Sequence, residues 1–223
     1  MCIVKRFILI VIEIWRRLKM GRHKQFDEGE ALEAALSVFW QKGYEGTSFQ
    51  DLTRATGVAR PGLYAAFGNK EAFFRKALDL YESKYMGYMS KALDEPTSRQ
   101  VVEGILRGSA FLQTTNAAHP GCLGINGALA CSEDAEPIRL ELIKRRAKFQ
   151  LALQKRFDKA RLEGDLPESI DCTTLASFVM AIAQGMAVQA KAGASRKALI
   201  GLIKHTLFTW PSAANECQKN QNG

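Results

Sequence analysis

The sequence predicts an all-α protein, with a small three-helix head followed by a larger helical body. Apolar residues recur with helical spacing along most of the chain, and glycine or proline separates the apolar segments. Between residues 47 and 70, two short helical patterns meet at a glycine. Near the carboxyl end, two segments are apolar over a wide arc, which indicates buried helices. Together these three observations favour an all-helical fold.

Basic residues outnumber acidic ones, 31 to 23, which gives a formal net charge of +8. Most of the excess lies in residues 1–24, which contain seven Lys and Arg residues and a single acidic residue, Glu13. A basic balance favours a polyanionic partner. The five cysteines form no CxxC pair and no His/Cys spacing typical of a metal site. We therefore expect free thiols in a reducing cytoplasm, and neither a metal nor a cofactor.

Residues 1–19 form an apolar segment with basic ends. The apolar run 7–15 is interrupted by Glu13 and is far shorter than the ~20 residues that span a bilayer. Two arginines follow it, where a signal peptide would need small residues. We expect no membrane association and interpret the segment as a non-native or dispensable extension before Met20. An interfacial helix, a helix packed on the body and a nucleic-acid-contacting arm remain as alternatives.

The first predicted helix covers residues 27–42. Acidic side chains fill its first turn, which suits the positive end of the helix dipole, and Gly43 ends it. The basic residues 21–24 before it are either a solvated tail or an arm that contacts phosphates or the minor groove. The apolar stripe of this helix consists of Ala31, Leu32, Ala35, Leu36, Val38 and Phe39.

Residues 48–67 fit a helix-turn-helix motif. A capping box of Thr47 and Gln50 is expected to open a helix at 48–56, and Gly57 suits the left-handed turn that ends it. A second helix starts near Arg60, with proline in its first turn, where a missing N–H costs nothing. Such a pair places its second helix in the DNA major groove. The side chains predicted to be buried are Phe49, Leu52, Ala55, Val58, Leu63 and Phe67.

Three consecutive motifs carry a family resemblance: WQKGYEGTS, DLTRATGV and GLYAAFGNKEAFF. With the helix before them, they resemble the DNA-binding domain of the TetR family of bacterial regulators over residues 26–85. The resemblance implies a DNA-binding domain at 20–85 and an effector-binding and dimerisation domain at 86–210. It also implies a homodimer and a ligand cavity in the body.

The candidate DNA-contacting residues lie in and around the second helix of the motif. Arg60 is the only long donor at the start of that helix, and arginine favours guanine. Lys70 opens the next helix, where a cation is unfavourable unless an anion lies opposite, so we expect a phosphate contact. The resemblance implies phosphate contacts from Thr47, Ser48 and Tyr64. The remaining candidates are small residues that allow thymine-methyl contacts, close backbone approach and readout of DNA shape: Pro61, Gly62, Ala65 and Ala66.

The body is predicted to contain long helices and one Gly-rich loop. The loop follows residue 115 and runs into a short helix that ends near Glu133. Residues 211–223 are polar, and we expect a disordered tail. The expected long helices lie at 70–93, 98–114, 137–163, 172–192 and 195–210.

The last two helices are the candidate dimer interface. Their wide apolar arcs favour a second copy as the partner, as the resemblance also implies; burial within one monomer is the alternative. The candidate interface residues are Leu175, Phe178, Val179, Ile182, Leu199, Leu202, Ile203, Leu207 and Trp210.

The effector cavity implied by the resemblance is only loosely located by the sequence. Cys122 could react with an electrophile or oxidant, but a small buried hydrophobe is the favoured interpretation. His119 is the only nearby titratable residue that could activate its thiol. The candidate cavity residues are Phe111, Cys122, Leu123, Ile125, Asn126, Phe149, Phe178 and Met186.

The sequence thus predicts a dimeric, ligand-responsive regulator of the bacterial cytoplasm, a repressor released from a palindromic DNA operator by a small-molecule effector. No catalytic residues are expected. An all-helical enzyme and a ligand-independent architectural DNA-binding protein are the alternatives.

Overall fold

The computed structural model describes residues 26–115, 118–126 and 132–213; the extension 1–19, the basic arm 21–24 and residues 214–223 of the expected tail lie outside these ranges. All regular secondary structure in the described ranges is helical, as predicted. The helices are α1 Glu28–Lys42, α2 Phe49–Thr56, α3 Arg60–Phe67, α4 Lys70–Tyr85, α5 Gly87–Leu93, α6 Ser98–Thr115, α7 Leu123–Asn126, α8 Glu136–Leu162, α9 Cys172–Lys191 and α10 Arg196–Phe208, with a 3-10 turn at Glu133–Ala135.

The helix-turn-helix forms where the sequence predicts it, but its cap lies one residue later. The Ser48 hydroxyl accepts from the Asp51 N–H at 3.1 Å, and the Asp51 carboxylate accepts from the Ser48 N–H at 3.0 Å. Thr47 does not take the predicted capping role because its hydroxyl points inward and donates to the Gly43 carbonyl at 2.7 Å. Gly57 ends α2 with φ +68°, a conformation that favours glycine.

An aromatic core holds the head together. The Phe39 ring lies edge-on to Phe73 and Phe74, with centroids 6.0 and 5.1 Å away, and Phe67 stacks on Phe73 at 4.0 Å. All four rings are buried. Removing this much apolar surface from water, with favourable edge and offset ring contacts, fixes α1, α3 and α4 against one another.

Three of the side chains predicted to be buried in the motif are not fully buried. Ala55 is exposed and Phe49 is only half-buried, because α2 is two turns long and buries a single side chain, Leu52. Leu63 is buried as predicted. Val58 is half-buried and packs against the same core.

The helix expected at 70–93 is broken at Met86. Met86 has φ −96° and ψ 4°, and α5 begins at Gly87, a poor helix former. Beyond the break, the Tyr88 ring lies directly on Gly108 of α6, where a Cβ would be 2.2 Å from a ring carbon. Helix α5 therefore packs this closely on α6 because residue 108 has no side chain.

Helix α6 lies at the centre of the body, against α5, α9 and α10. Its apolar face shares one core with Phe157 of α8 and Ile203 of α10. Trp210 seals the end of this core, where its Nε1 donates to the Ser98 Oγ at 3.1 Å. The other long helices begin and end within two residues of their predicted bounds, because caps and apolar stripes are local signals. Of the short helix expected to end near Glu133, the structure describes α7 Leu123–Asn126, and residues 127–131 lie outside the described ranges.

Candidate nucleic-acid interface and effector cavity

Helix α3 presents one face to solvent and buries the other. Leu63 and Phe67 fix its inner face in the head core. The Lys76 Nζ donates to the Ala66 carbonyl at 2.9 Å. This bond satisfies a carbonyl in the last turn of α3, where no further helical N–H is available to it. Outward lie the predicted contact residues Arg60, Pro61, Tyr64 and Ala65, with Gly62 and Ala66 half-exposed beside them.

Arg60 lies across a stacked pair of aromatic rings. The Phe49 and Tyr64 rings stack with centroids 4.4 Å apart and planes 17° from parallel. The Arg60 guanidinium is 5.1 Å from the Phe49 centroid and 5.4 Å from the Tyr64 centroid, within the range of cation–π attraction. Sequence reasoning placed Phe49 in the core and missed this role. The helical i, i+4 spacing of Arg60 and Tyr64 was the available signal.

Lys70 is held near the surface at the start of α4. Its Nζ lies 4.5 Å from the centroid of the Tyr44 ring, and burial lowers its pKa although Glu45 opposes the shift. A cation that is partly stripped of water binds a phosphate more strongly than a fully hydrated one. Ser48 is exposed and Lys70 is half-buried, so both side chains are accessible for the phosphate contacts predicted for them. Thr47 is corrected: it is only 1% exposed, so its side chain does not face the outer surface.

The body contains a cavity of about 780 Å³ between α4, α5, α6, α8 and α9. Its walls are mainly apolar, and its volume falls in the range of sites for small organic molecules. Of the predicted cavity residues, Cys122, Ile125 and Phe149 line it. The side chain of Asn126 lies outside what the structure describes.

Four predicted cavity residues lie elsewhere. Leu123 is buried in the head core and Met186 in the body core. Phe178 lies on the outer side of α9, 43% exposed, and Phe111 is exposed on α6 beneath the Arg196 guanidinium, 4.7 Å from its ring centroid. Helical periodicity identified these side chains as apolar but could not assign them to a cavity, a core or a surface.

Polar residues that sequence reasoning missed lie in the cavity wall. Tyr88 OH and Ser109 Oγ are 3.1 Å apart, and the Tyr81 hydroxyl donates to the Cys122 Sγ at 3.4 Å. Burial raises the pKa of both tyrosines, so both are neutral at physiological pH. The signal in the sequence was the position of Ser109 and Gln113, two polar residues that lie within the otherwise apolar buried stripe of α6.

Among the described residues, His119 is paired with Ser37 and Cys122 with Tyr81. The His119 Nε2 is 2.5 Å from the Ser37 Oγ, and its ring lies 5.7 Å from the Trp40 ring. Burial, together with the charge of Lys191, lowers its pKa, so the imidazole is neutral at pH 7. A neutral ring cannot stabilise a thiolate as a cation would.

The cavity and the DNA-binding head share structure. Leu78, Tyr81 and Leu142 belong to the core of the head and also line the cavity. The loop that carries Cys122 also holds α1, since the Trp40 Nε1 donates to the Gly121 carbonyl at 3.2 Å. The wall of the cavity and the core of the head are therefore built in part from the same residues.

Ion pairs fasten α4 to α8 beside the cavity. Arg145 of α8 bonds Asp79 at 2.7 Å and Glu82 at 2.8 Å on α4, and Glu141 at 2.7 Å on its own helix. Arg75 of α4 bonds Glu141 from the other side at 3.0 Å. The network joins the helix that leaves the head to a wall of the cavity.

The predicted dimer interface needs correction. Phe178 is 43% exposed, Leu202 is 38% exposed, and Ile182 is half-buried. Both helices are apolar all round because one side packs within the monomer, and the sequence could not separate the two sides. The predicted interface residues that are instead buried in the body core are Leu175, Val179, Leu199, Ile203, Leu207 and Trp210.

The open sides of α9 and α10 carry an apolar surface, which we call the outer apolar face and define by Phe178, Val188, Leu202 and Phe208. Helix α9 is also, by length and composition, the one helix of the described residues that could cross a membrane, with a mean hydropathy of 1.3. Its other side belongs to the body core, as expected for a core helix of a folded domain.

A helix-turn-helix with an exposed second helix, on a larger helical body, is the architecture of a DNA-binding regulator. The chain matches the family model "Bacterial regulatory proteins, tetR family" over residues 31–77 and "Tetracyclin repressor-like, C-terminal domain" over residues 101–206. It is 36% identical to the HTH-type transcriptional repressor ComR of Escherichia coli (strain K12), over 86% of this chain and 92% of ComR. The chain belongs to the TetR family of helix-turn-helix transcriptional regulators.

Other relatives extend this similarity. The HTH-type transcriptional repressor BdcR of Escherichia coli (strain K12) is 27% identical over 78% of this chain and 84% of BdcR. Among solved structures, a cysteine mutant of the TetR family transcriptional regulator CifR, complexed with 26-base-pair double-strand operator DNA, has a TM-score of 0.80 and 35% identity. It covers 86% of this chain and 100% of that one.

Proposed function

We propose that this protein is a transcriptional repressor that binds a palindromic operator as a homodimer and releases it when a small molecule enters the cavity. One observation carries the proposal: Leu78, Tyr81 and Leu142 line the cavity and also belong to the core that holds the DNA-binding head. The repressor ComR and the operator complex of CifR support the DNA-binding half.

Helix α3 is the element that would enter the major groove. Arg60 would read a base edge, while Tyr64, Lys70 and Ser48 would contact phosphates that set the position of the head. Pro61, with the small residues Gly62, Ala65 and Ala66 beside it, would let the helix backbone approach the bases closely. Specificity would then rest on one arginine, thymine methyl groups and DNA shape.

The outer apolar face is the surface that would join two copies. Large apolar side chains left exposed on two helices favour burial against a partner. Two copies of α9 and α10 would bury it in a four-helix arrangement and hold the two heads apart. Two heads on a two-fold axis would bind half-sites about one helical turn, ~34–36 Å, apart.

Effector binding would act through the shared core. A ligand that fills the cavity presses on Tyr81 and Leu142, and through the Cys122 loop on Trp40. Those contacts set the orientation of α1 and α4, and with it the orientation of the head relative to the body. A ligand that favours one angle shifts the dimer toward heads whose spacing no longer matches the operator.

The remaining parts of the proposal follow from composition and family. The head would comprise residues 20–85 and the body 86–210. Residues 1–19 would be dispensable for operator binding, and the protein would work in the bacterial cytoplasm, where its thiols stay reduced.

Selection from a random DNA pool, followed by footprinting, tests the proposal. The full-length protein should enrich a pseudo-palindrome and protect both half-sites on one side of the duplex. A variant that starts at Met20 should enrich the same sequence. Enrichment of single, unpaired sites, or of no sequence at all, would contradict a dimeric repressor.

A further inference from the structure

Gln113 lines the cavity, and one of its buried side-chain atoms has no partner among the described residues. Gln113 of α6 is 4% exposed, and its Nε2 donates to the Ala183 carbonyl at 3.3 Å. A carbonyl can only accept, so this bond fixes which end of the amide faces Ala183. The other end, Oε1, is buried and has no hydrogen-bond partner among the described residues. A buried acceptor left unbonded costs free energy, which a bound ligand with a donor would recover.

The neighbourhood of this atom is polar in an otherwise apolar cavity. Ser109 lies one helical turn before Gln113 on α6, and its hydroxyl is paired with that of Tyr88. Hydroxyl groups can donate or accept. A ligand hydroxyl would therefore suit the place well: it can donate to Gln113 Oε1 and accept from this pair.

A second part of the wall is cationic. Lys144, Arg146 and Lys148 of α8 line the cavity; the two lysines are exposed and Arg146 is half-buried. None of the three takes part in an ion pair within the parts of the chain that the structure describes. The carboxylates that line the same region, Glu82 and Glu141, are both bonded to Arg145. Three cations therefore remain without a local counter-charge, an arrangement that favours an anionic ligand group.

We propose that the effector is an apolar organic anion that carries a hydroxyl group away from its charged end. The anion lies beside Lys144, Arg146 and Lys148, the apolar chain contacts Phe149 and Met180, and the hydroxyl donates to Gln113 Oε1. This inference rests on the proposed effector role of the cavity and names the chemistry that the cavity selects.

Three matched probes test the two polar contacts separately: 12-hydroxydodecanoate, dodecanoate and 1-dodecanol. Titration calorimetry on the full-length protein without DNA measures each affinity below the concentration at which the probes aggregate. One added hydrogen bond should make the hydroxy acid bind roughly three- to tenfold more tightly than dodecanoate. The carboxylate should make dodecanoate bind more tightly than dodecanol, by a factor that falls as salt is raised.

Variants test which residues account for each gain in affinity. Gln113→Leu should abolish the advantage of the hydroxy acid over dodecanoate and leave dodecanoate binding nearly unchanged. The double variant Lys144→Gln/Lys148→Gln should weaken both acids by roughly two- to fivefold and leave dodecanol unchanged. Lys155→Gln, an exposed lysine of α8 that does not line the cavity, is the matched control and should change none of the three.

The outcomes are decisive in each direction. Equal affinity of the wild type for the hydroxy acid and dodecanoate overturns the Gln113 contact, even if Gln113→Leu does not fold. Equal affinity for dodecanoate and dodecanol overturns the cationic contact, and no binding of any probe overturns both.

A mobility-shift assay on the selected operator separates failure of the effector role from failure of the ligand class. Binding of the hydroxy acid without DNA release rejects the effector role alone, whereas release by an unrelated molecule with no probe binding rejects the ligand class alone.

Discussion

The Arg60 guanidinium donates a hydrogen bond to the Tyr64 hydroxyl, 3.1 Å away and one turn further along α3. The long side chain of Arg60 is thus oriented by a contact within its own helix, α3. Orienting a flexible side chain before binding lowers the entropy lost on binding. Tyr64, for which we propose a phosphate contact, therefore also fixes the placement of Arg60.

Replacement of Arg60 tests base readout. Arg60→Ala should weaken operator binding by ~1–3 kcal/mol and relax the preference at one base position per half-site, because arginine can bond guanine through two N–H groups. Binding-site selection on both proteins measures this. Arg99→Ala, which removes an exposed arginine of the body, should select the wild-type sequence. Base preferences unchanged by Arg60→Ala would leave DNA shape as the source of specificity.

A double-mutant cycle extends that test to the pair. Arg60→Ala and Tyr64→Phe should be non-additive by at least ~0.5 kcal/mol in operator affinity, since each variant removes the same hydrogen bond. Effects that add within ~0.3 kcal/mol would show that the two side chains act independently on DNA.

Replacement of Lys70 tests a phosphate contact. Lys70→Ala should weaken binding to operator and random DNA alike and reduce the slope of log affinity against log salt by about 1, because one fewer counterion is released. Fluorescence anisotropy at several salt concentrations gives both quantities. Lys155→Ala is the control for loss of one positive charge. An unchanged slope in Lys70→Ala would reject the contact.

A charge on the outer apolar face tests dimerisation. Phe208→Glu should yield a folded monomer, because Phe208 is 87% exposed and contributes little to the monomer core. Light scattering after gel filtration measures the mass, and circular dichroism checks the fold. Leu162→Glu is a matched control, since Leu162 is also 87% exposed but lies at the end of α8. Dimers in both variants would place the interface elsewhere.

The α4–α8 network predicts a pH-dependent stability difference. Bonding to Arg145 lowers the pKa of Glu141 below its usual 4.5, so this carboxylate stabilises the fold above that pH and ceases to do so as pH falls through its folded-state pKa. Arg145→Met should lower the free energy of unfolding by about 1 kcal/mol at pH 7. The difference should shrink when the carboxylates are protonated.

Urea unfolding at pH 7 and pH 3 measures that difference. Arg107→Met, which removes an exposed pair with Glu103 on α6, should have a smaller effect at both pH values. A difference between wild type and Arg145→Met that is constant with pH would show that the arginine stabilises by packing rather than by charge.

The head was more predictable than the body because its signals are local. Glycine at position 57, proline in the first turn of α3 and the aromatic core residues each specify backbone or burial within a few residues. The one-residue error at the cap arose because Thr47 and Ser48 are both good caps in sequence, and only the fold sends the Thr47 hydroxyl inward. The break at Met86 was not predicted because α4 and α5 share a continuous apolar pattern.

The cavity and the dimer interface could not be derived in the same way. Val179 and Phe178 are neighbours on an apolar helix, yet one is buried in the body core and the other faces outward. Which side of an apolar helix meets its own chain depends on the packing of distant helices. Gln113, a polar residue within the buried stripe of α6, lines the cavity but was not among the residues predicted for it.

The close approach of Tyr88 to Gly108 makes one wall of the cavity sensitive to the side chain at residue 108. Gly108 does not line the cavity, but Tyr88 does, and its ring rests on the bare backbone of residue 108. Any side chain introduced there would displace the Tyr88 ring from its present place in the cavity wall. A substitution at residue 108 would therefore change the shape of a cavity that the residue itself does not line.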